Sequence, residues 1–203
     1  MKLQSNNVWF TSDSHYSHTN LVKGVTRWRN SDGEIPEEAV RDFPDTETMN
    51  ELMIDNINRN VDADDWLIHL GDWSFGGIER VTEFREQINC KNIVLILGNH
   101  DQHIQKEKYL HKLFTHVAHY EELKITQKHN SHKFVLCHYP IISWNGMHDG
   151  SFMIHGHQHL KGEKRFCENG YRRMDVGLCG APDFRPYHVE EVINILSERR
   201  NLK

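Results

Sequence analysis

The chain alternates between short apolar runs and polar, glycine-containing stretches. The runs are Val8-Trp9-Phe10, Trp66-Leu67-Ile68-His69-Leu70, Ile93-Val94-Leu95-Ile96-Leu97, Phe134-Val135-Leu136-Cys137 and Phe152-Met153-Ile154. Their brevity and their β-branched and aromatic content predict buried strands. Helical periods lie between them. Met49, Leu52, Met53 and Ile57 fall at i, i+3, i+4 and i+8, which predicts a helix with Asp45 or Thr46 as its N-cap. Ile78, Val81, Phe84 and Ile88 form a second stripe, and Val189, Val192, Ile193 and Leu196 a third. A weaker pattern over 103–115 predicts one more helix. Strand–helix–strand alternation in the first half implies parallel βαβ units. From about 117 to 176 the helical period fades, and segments 117–126, 132–138, 151–155 and 171–176 read as successive strands. The expected architecture is α/β, with two packed sheets and helices outside. Residues 25–45 are polar, hold Pro36 and Pro44, and lack any period. A connection that long predicts a lid or binding loop. No linker is visible, so 1–203 is expected to be one domain.

Composition narrows the class. Apolar residues make up 37% and charged residues 26% of 203, a globular balance at a length that supports a core without disulfide or metal staples. Cys90, Cys137, Cys167 and Cys179 show no C-x-x-C spacing and read as reduced thiols of a cytoplasmic protein. Lys and Arg total 24 against 29 Asp and Glu, so 24 − 29 = −5. That balance disfavours broad, sequence-blind nucleic-acid binding, which needs a basic face, but leaves a local basic patch open. The N-terminus has no apolar stretch of signal length, and no 18-residue apolar run occurs, so no membrane segment is expected. The unusual number is 16 histidines, which are metal ligands and neutral-pH proton carriers.

Position turns that number into chemistry. Each apolar run leads at once to residues that bind metal or phosphate: Asp13-Ser14-His15, Gly71-Asp72, Gly98-Asn99-His100-Asp101, His138, and Gly156-His157-Gln158-His159. In open α/β sheets, ligands bind beyond the carboxyl ends of strands. Five such ends bring too many ligands for one ion and a suitable number for two. Two cations about 3.5–4 Å apart can clamp a phosphoryl group and activate water, and a carboxylate such as Asp72 supplies the anion needed between them. His157 and His159 alternate by two, so an extended segment directs both to one side.

The ordered set Asp-x-His, Gly-Asp, Gly-Asn-His-Asp, His, Gly-His-x-His resembles the calcineurin-like metallophosphoesterase family, with all five blocks present over residues 13–159. The text from Asp13 through Asn20 is similar to small bacterial and phage members. The resemblance implies a four-layer αββα sandwich. It implies one ion on Asp13, His15, Asp72 and His159, and another on Asp72, Asn99, His138 and His157. His100 would protonate the leaving oxygen, and Asp101 would hold His100. Manganese leads as the metal, with iron, zinc or nickel open. The expected substrate is a small phosphate ester, preferably a nucleotide-type phosphodiester. A phosphomonoesterase, a nuclease and a non-catalytic scaffold of the same fold are the alternatives.

Other residues are less determined by their surroundings. His18 and Asn20 either cap the following helix or reach the phosphate. Arg27 and Arg29 flank Trp28 and are either solvated charges or phosphate contacts. Trp73, Phe75, Tyr139 and Trp144 follow ligand blocks, as packing or as cleft walls. His69 and His155 sit inside strand runs and read as core or as ligand support. His103, His111, His116, His119, His129, His132, His148 and His188 read as surface. Cys137 alternates away from His138 and reads as a buried thiol.

Overall fold

The computed structural model describes residues 1–127, 130–166 and 171–198. In chain order the elements are β1 (Lys2–Gln4), β2 (Val8–Thr11), α1 (Thr19–Lys23), α2 (Thr46–Asn60), β3 (Trp66–His69), α3 (Ile78–Gln87), β4 (Asn92–Ile96), α4 (Gln102–Lys106), β5 (His116–Ala118), β6 (Tyr120–Gln127), β7 (Asn130–Cys137), β8 (Phe152–His155), β9 (Arg173–Asp175), β10 (Tyr187–His188) and α5 (Val189–Glu198). They form two five-stranded sheets, ordered β10-β2-β3-β4-β5 and β1-β6-β7-β8-β9. Both are mixed. In the first, β2 to β5 run parallel and β10 pairs antiparallel with β2. In the second, only β6 and β7 pair antiparallel.

Side-chain alternation explains why the runs are continuously apolar. On β3 and β4, Ile68, Val94 and Ile96 enter the layer between the sheets, while Leu67, Ile93 and Leu95 face the helices. Phe10 of β2 meets Phe134 of β7 across that inner layer, with ring centroids 5.2 Å apart. On the other face of the first sheet, Met53 and Ile57 of α2 and Val81 and Phe84 of α3 pack against the strands. Asp45 caps α2, accepting from the Thr48 N–H at 2.7 Å, which decides between the two cap candidates. Met49, Met53 and Ile57 are fully buried. Each contributes roughly 1.5–3 kcal/mol by leaving water. On the outer face of the second sheet, Val135 and Met153 pack beneath Trp144.

Three expectations are corrected. The strand expected over 117–126 is two strands in different sheets, β5 and β6, with His119 between them. No glycine or proline marks that crossover. Residues 103–115 form no single helix: α4 ends at Lys106 and a 3-10 stretch follows over Lys108–Leu113. The 25–45 segment is not free of structure. It makes a 3-10 turn over Glu37–Ala39, Ala39 is fully buried, and Arg41 is inserted into the protein. Cys90, Cys137 and Cys179 are free thiols, Cys90 buried and the other two half-buried. Cys167 and His129 lie outside the described residues. Among the described residues no helix is long and apolar enough to cross a membrane.

Candidate metal centre

Parallel pairing of β2, β3 and β4, and of β7 with β8, aligns their carboxyl ends at one rim. Asp13, Asp72 and Asn99 come from the first sheet. His138, His157 and His159 come from the second. The backbone there turns sharply. Asp13, His15, Asp72, His157 and His159 all have positive φ, at 55°, 47°, 56°, 73° and 53°. Left-handed backbone costs a non-glycine residue roughly 1–2 kcal/mol, and such residues gather where function demands a particular side-chain direction. Close approach also fixes two glycines. A Cβ on Gly98 would collide with Asp72 Oδ1, and one on Gly156 with Ser12 Oγ and Asp13 Oδ2.

Hydrogen bonds aim the imidazoles. His159 Nδ1 lies 3.0 Å from the Glu38 carbonyl, and His138 Nδ1 lies 2.7 Å from the Leu70 carbonyl. A carbonyl only accepts, so each Nδ1 carries a proton, and the inward Nε2 is the atom left to give a lone pair to a cation once any second proton has gone. The His159 Nε2 is 2.9 Å from His15 Nε2 and 3.3 Å from Asp13 Oδ1. The His138 Nε2 is 3.0 Å from Asn99 Oδ1, which His157 Nδ1 also approaches at 2.9 Å. Asp72 Oδ2 sits 3.6 Å from His15 Nε2 and 3.5 Å from His138 Nε2, so it spans the two groups. Two sets, Asp13–His15–His159 and Asp13–Asp72–His138, each hold ligand atoms within 4.8 Å of one another. His15 Nδ1 is buried without a partner. Carboxylates and lone pairs converging in a buried place are the donor set of divalent cations, and the mixture of oxygen and nitrogen fits first-row metals.

The electrostatics point the same way. Burial, and then the Asp13 and Asp101 carboxylates, push Asp72 up to about 8. Burial alone would raise Asp13 too, but His159, His138 and His15 hold it well below the usual carboxylate range. His159 rises well above an ordinary histidine, because Asp13 outweighs its burial. His15 falls well below, through burial and then through His159 and Arg41. Asp13 and His159 are thus held as an ion pair beside a carboxyl that burial keeps from ionising, a balance that a divalent cation would take over.

The remaining candidates separate by where they lie. His100 is exposed at the rim, and its backbone N–H donates to Asp72 Oδ1 at 2.9 Å. Asp101 was expected to hold the His100 ring and does not. Its buried carboxylate accepts three backbone N–H groups, those of Asp72, Trp73 and Gly98, each at 2.8 Å, so it ties the β3 turn to the β4 turn. Backbone donors at fixed positions satisfy a buried carboxylate better than one imidazole can. A cleft of about 610 Å³ opens over the centre, lined among others by His15, His18, Asn20, Arg27, Trp28, Phe75, His100 and His157. His18 stands at the start of α1 but makes no side-chain cap. Its ring instead stacks on Phe75, with centroids 3.6 Å apart and planes 1° apart. Arg29 folds back onto its own loop, donating to the Thr26 and Trp28 carbonyls at 2.7 and 2.8 Å, and does not line the cleft. Trp28 sets its edge toward His159, 5.7 Å between centroids. Of the other aromatics, Tyr139 lies beside His157 at 4.8 Å. Trp73 is core, donating to the Val81 carbonyl, and Trp144 packs on the outer face of the second sheet. His69 and His155 are buried beneath the rim, His69 at 2.7 Å from Ser14 Oγ.

Sequence reasoning missed Arg41 and the Glu38 carbonyl. Both lie in the aperiodic 25–45 segment, where no pattern marks them. Arg41 donates to the carbonyls of Asp13 and Ser14.

A two-sheet α/β sandwich with aspartates, an asparagine and histidines gathered at the strand ends defines a class: proteins that hold two metal ions against a phosphate ester. The calcineurin-like phosphoesterase profile matches residues 7–178, and the chain belongs to that family. It is 28% identical over 195 residues to an uncharacterised protein of Methanocaldococcus jannaschii, covering 94% of this chain and 92% of that one. It is 26% identical over 219 residues to the gene 66 protein of Mycobacterium phage D29, covering 95% and 98%. A crystal structure of a protein of unknown function from Aquifex aeolicus superposes with a TM-score of 0.61 at 20% identity, covering 93% of this chain and 98% of that one, and so shares the fold.

Proposed function

We propose that the protein hydrolyses phosphodiesters of small, nucleotide-type substrates in the cytoplasm, with two divalent cations, manganese foremost. The observation that supports this most is the convergence of inward-facing lone pairs and carboxylates beneath a cleft with aromatic walls. The cations would sit on Asp13, His15, Asp72 and His159, and on Asp72, Asn99, His138 and His157. When bound they supply charge neutralisation at the phosphoryl oxygens and an activated water for attack. The protein's own groups do the rest. His100 donates a proton to the departing alkoxide from the cleft side. Asp101, by fixing the turns that carry Asp72 and Gly98, keeps His100 beside the phosphorus. Arg27 pairs with a non-reacting phosphate oxygen, while Trp28 and Phe75 offer flat faces to a base.

The test compares an aryl phosphodiester, an aryl phosphomonoester and nucleotide diesters, before and after chelation and with Mn²⁺ restored. We expect no turnover after chelation, recovery with Mn²⁺, and preference for diesters. Preference for the monoester would replace this reading by a phosphatase, and full metal occupancy without turnover would replace it by a scaffold. Trp28→Ala should raise KM for nucleotide diesters about tenfold, since a base stack is worth roughly 1–3 kcal/mol, and leave the aryl diester nearly unchanged. Arg27→Ala should act in the same direction. Arg29→Ala should separate the two substrates little, because its guanidinium serves its own loop.

A further inference from the structure

We infer that Arg41 is a positioning residue for the metal centre: its buried guanidinium clamps the Asp13-Ser14-His15 turn and so sets the ligands of one ion. This rests on the metal reading above. Arg41 is 3% exposed. It donates from Nη2 to the Asp13 carbonyl, from Nη1 to the Ser14 carbonyl at 2.7 Å, and from Nε to Cys179 Sγ at 3.3 Å. The Phe184 ring lies 5.3 Å from the guanidinium carbon. Among the described residues, no carboxylate makes an ion pair with it. Burying a cation without a carboxylate partner is costly, so its hydrogen bonds must be worth keeping.

What those bonds hold is informative. Asp13 and His15 both have left-handed backbone, on either side of Ser14. Left alone, such a turn relaxes toward ordinary φ and swings both side chains. One planar guanidinium reaches two successive carbonyls of that turn, as only a fork-shaped donor can. Its third donor rests on Cys179, whose thiol in turn touches His159. Three residues before Arg41, the Glu38 carbonyl accepts from His159 Nδ1. One short piece of chain, 38–41, therefore supports Asp13, His15 and His159 together, and reaches none of Asn99, His138 or His157. The role is geometric. A fixed positive charge beside a cation site opposes metal binding, so the benefit lies in the fork and not in the charge.

The experiment titrates Mn²⁺ into chelator-stripped wild type, Arg41→Lys and Arg41→Met, reading free Mn²⁺ by electron paramagnetic resonance. Thermal melts in excess chelator report whether each variant is folded. Wild type should bind two Mn²⁺. Both variants should weaken one ion by about 10–100-fold, the usual worth of an outer partner of a metal ligand, and leave the other within about threefold. Lysine should not rescue, because it keeps the charge and loses the fork. Cys179→Ala, which removes the third anchor together with the thiol's contact to His159, gives a milder variant and should weaken the same ion in the same direction. It keeps the test decisive if the Arg41 variants fail to fold. Unchanged affinities, equal loss at both ions, or tighter binding in Arg41→Met would overturn the inference and leave the metal reading intact. Absence of Mn²⁺ binding by wild type would overturn both.

Discussion

Asp72→Asn should abolish turnover and lower bound metal, and should at the same time make the chelator-stripped protein melt higher at pH 8. Asp72 is 2% exposed and lies against Asp13 and Asp101, which with burial push it up to about 8. A carboxyl whose pKa is raised on folding binds its proton more tightly in the folded state. Between the unfolded value near 4 and the folded value near 8, the folded state therefore holds more protons, and stability falls as pH rises through that window. Asparagine is of similar shape, still accepts the His100 N–H, and never ionises. Each kcal/mol so recovered raises Tm by about 2–4 °C in a chain of this size. The same change removes the carboxylate proposed to lie between the two cations, which would then lose their shared anion. Elemental analysis and calorimetry check both halves. Full metal occupancy in the variant would refute the bridging role, and an unchanged melt would refute the electrostatic cost.

His100→Asn should keep both ions and slow turnover by roughly 10²–10⁴-fold, the usual worth of general acid catalysis. The ring stands 4.7 Å from Phe75 and 5.5 Å from His15, outside both ligand sets. Partial desolvation by the cleft wall, then His138 and His159, draws its pKa below the usual value. A bound phosphoryl anion opposes that shift and returns the proton where it is needed. The loss should shrink for substrates whose leaving group is a good one, because such a group departs without a proton. Rates on a series of aryl diesters provide the check, and an equal loss across the series would remove the acid role.

The rim was legible in the sequence for a physical reason. Parallel strands end together, so residues immediately after apolar runs must meet, and the five blocks after β2, β3, β4, β7 and β8 did. The helices α2, α3 and α5 were legible because each buries a single stripe. The crossover at His119 was not, because β5 is only three residues long and a single residue, neither glycine nor proline, joins it to β6. Edge strands β1 and β10, of three and two residues, carry too little pattern to stand out. The family resemblance set Asp101 against His100, whereas its carboxylate accepts backbone N–H groups of two loops, which no sequence pattern marks. Arg41 was invisible because a buried cation in an otherwise polar stretch looks like any surface arginine until its acceptors are seen.

The division of the ligand set between the two sheets has a mechanical consequence. Asp13, Asp72 and Asn99 hang from one sheet, His138, His157 and His159 from the other, and the hydrogen bond from His138 to the Leu70 carbonyl crosses between them. A cation seated at this rim on those residues would be a rivet through both layers. Breathing that parts the sheets at that end would then have to break the coordination, and loss of the ion would release the rim to open. Amide hydrogen exchange at the carboxyl ends of β4 and β7 should therefore slow together as Mn²⁺ is added, while exchange at the far ends of the same strands responds least.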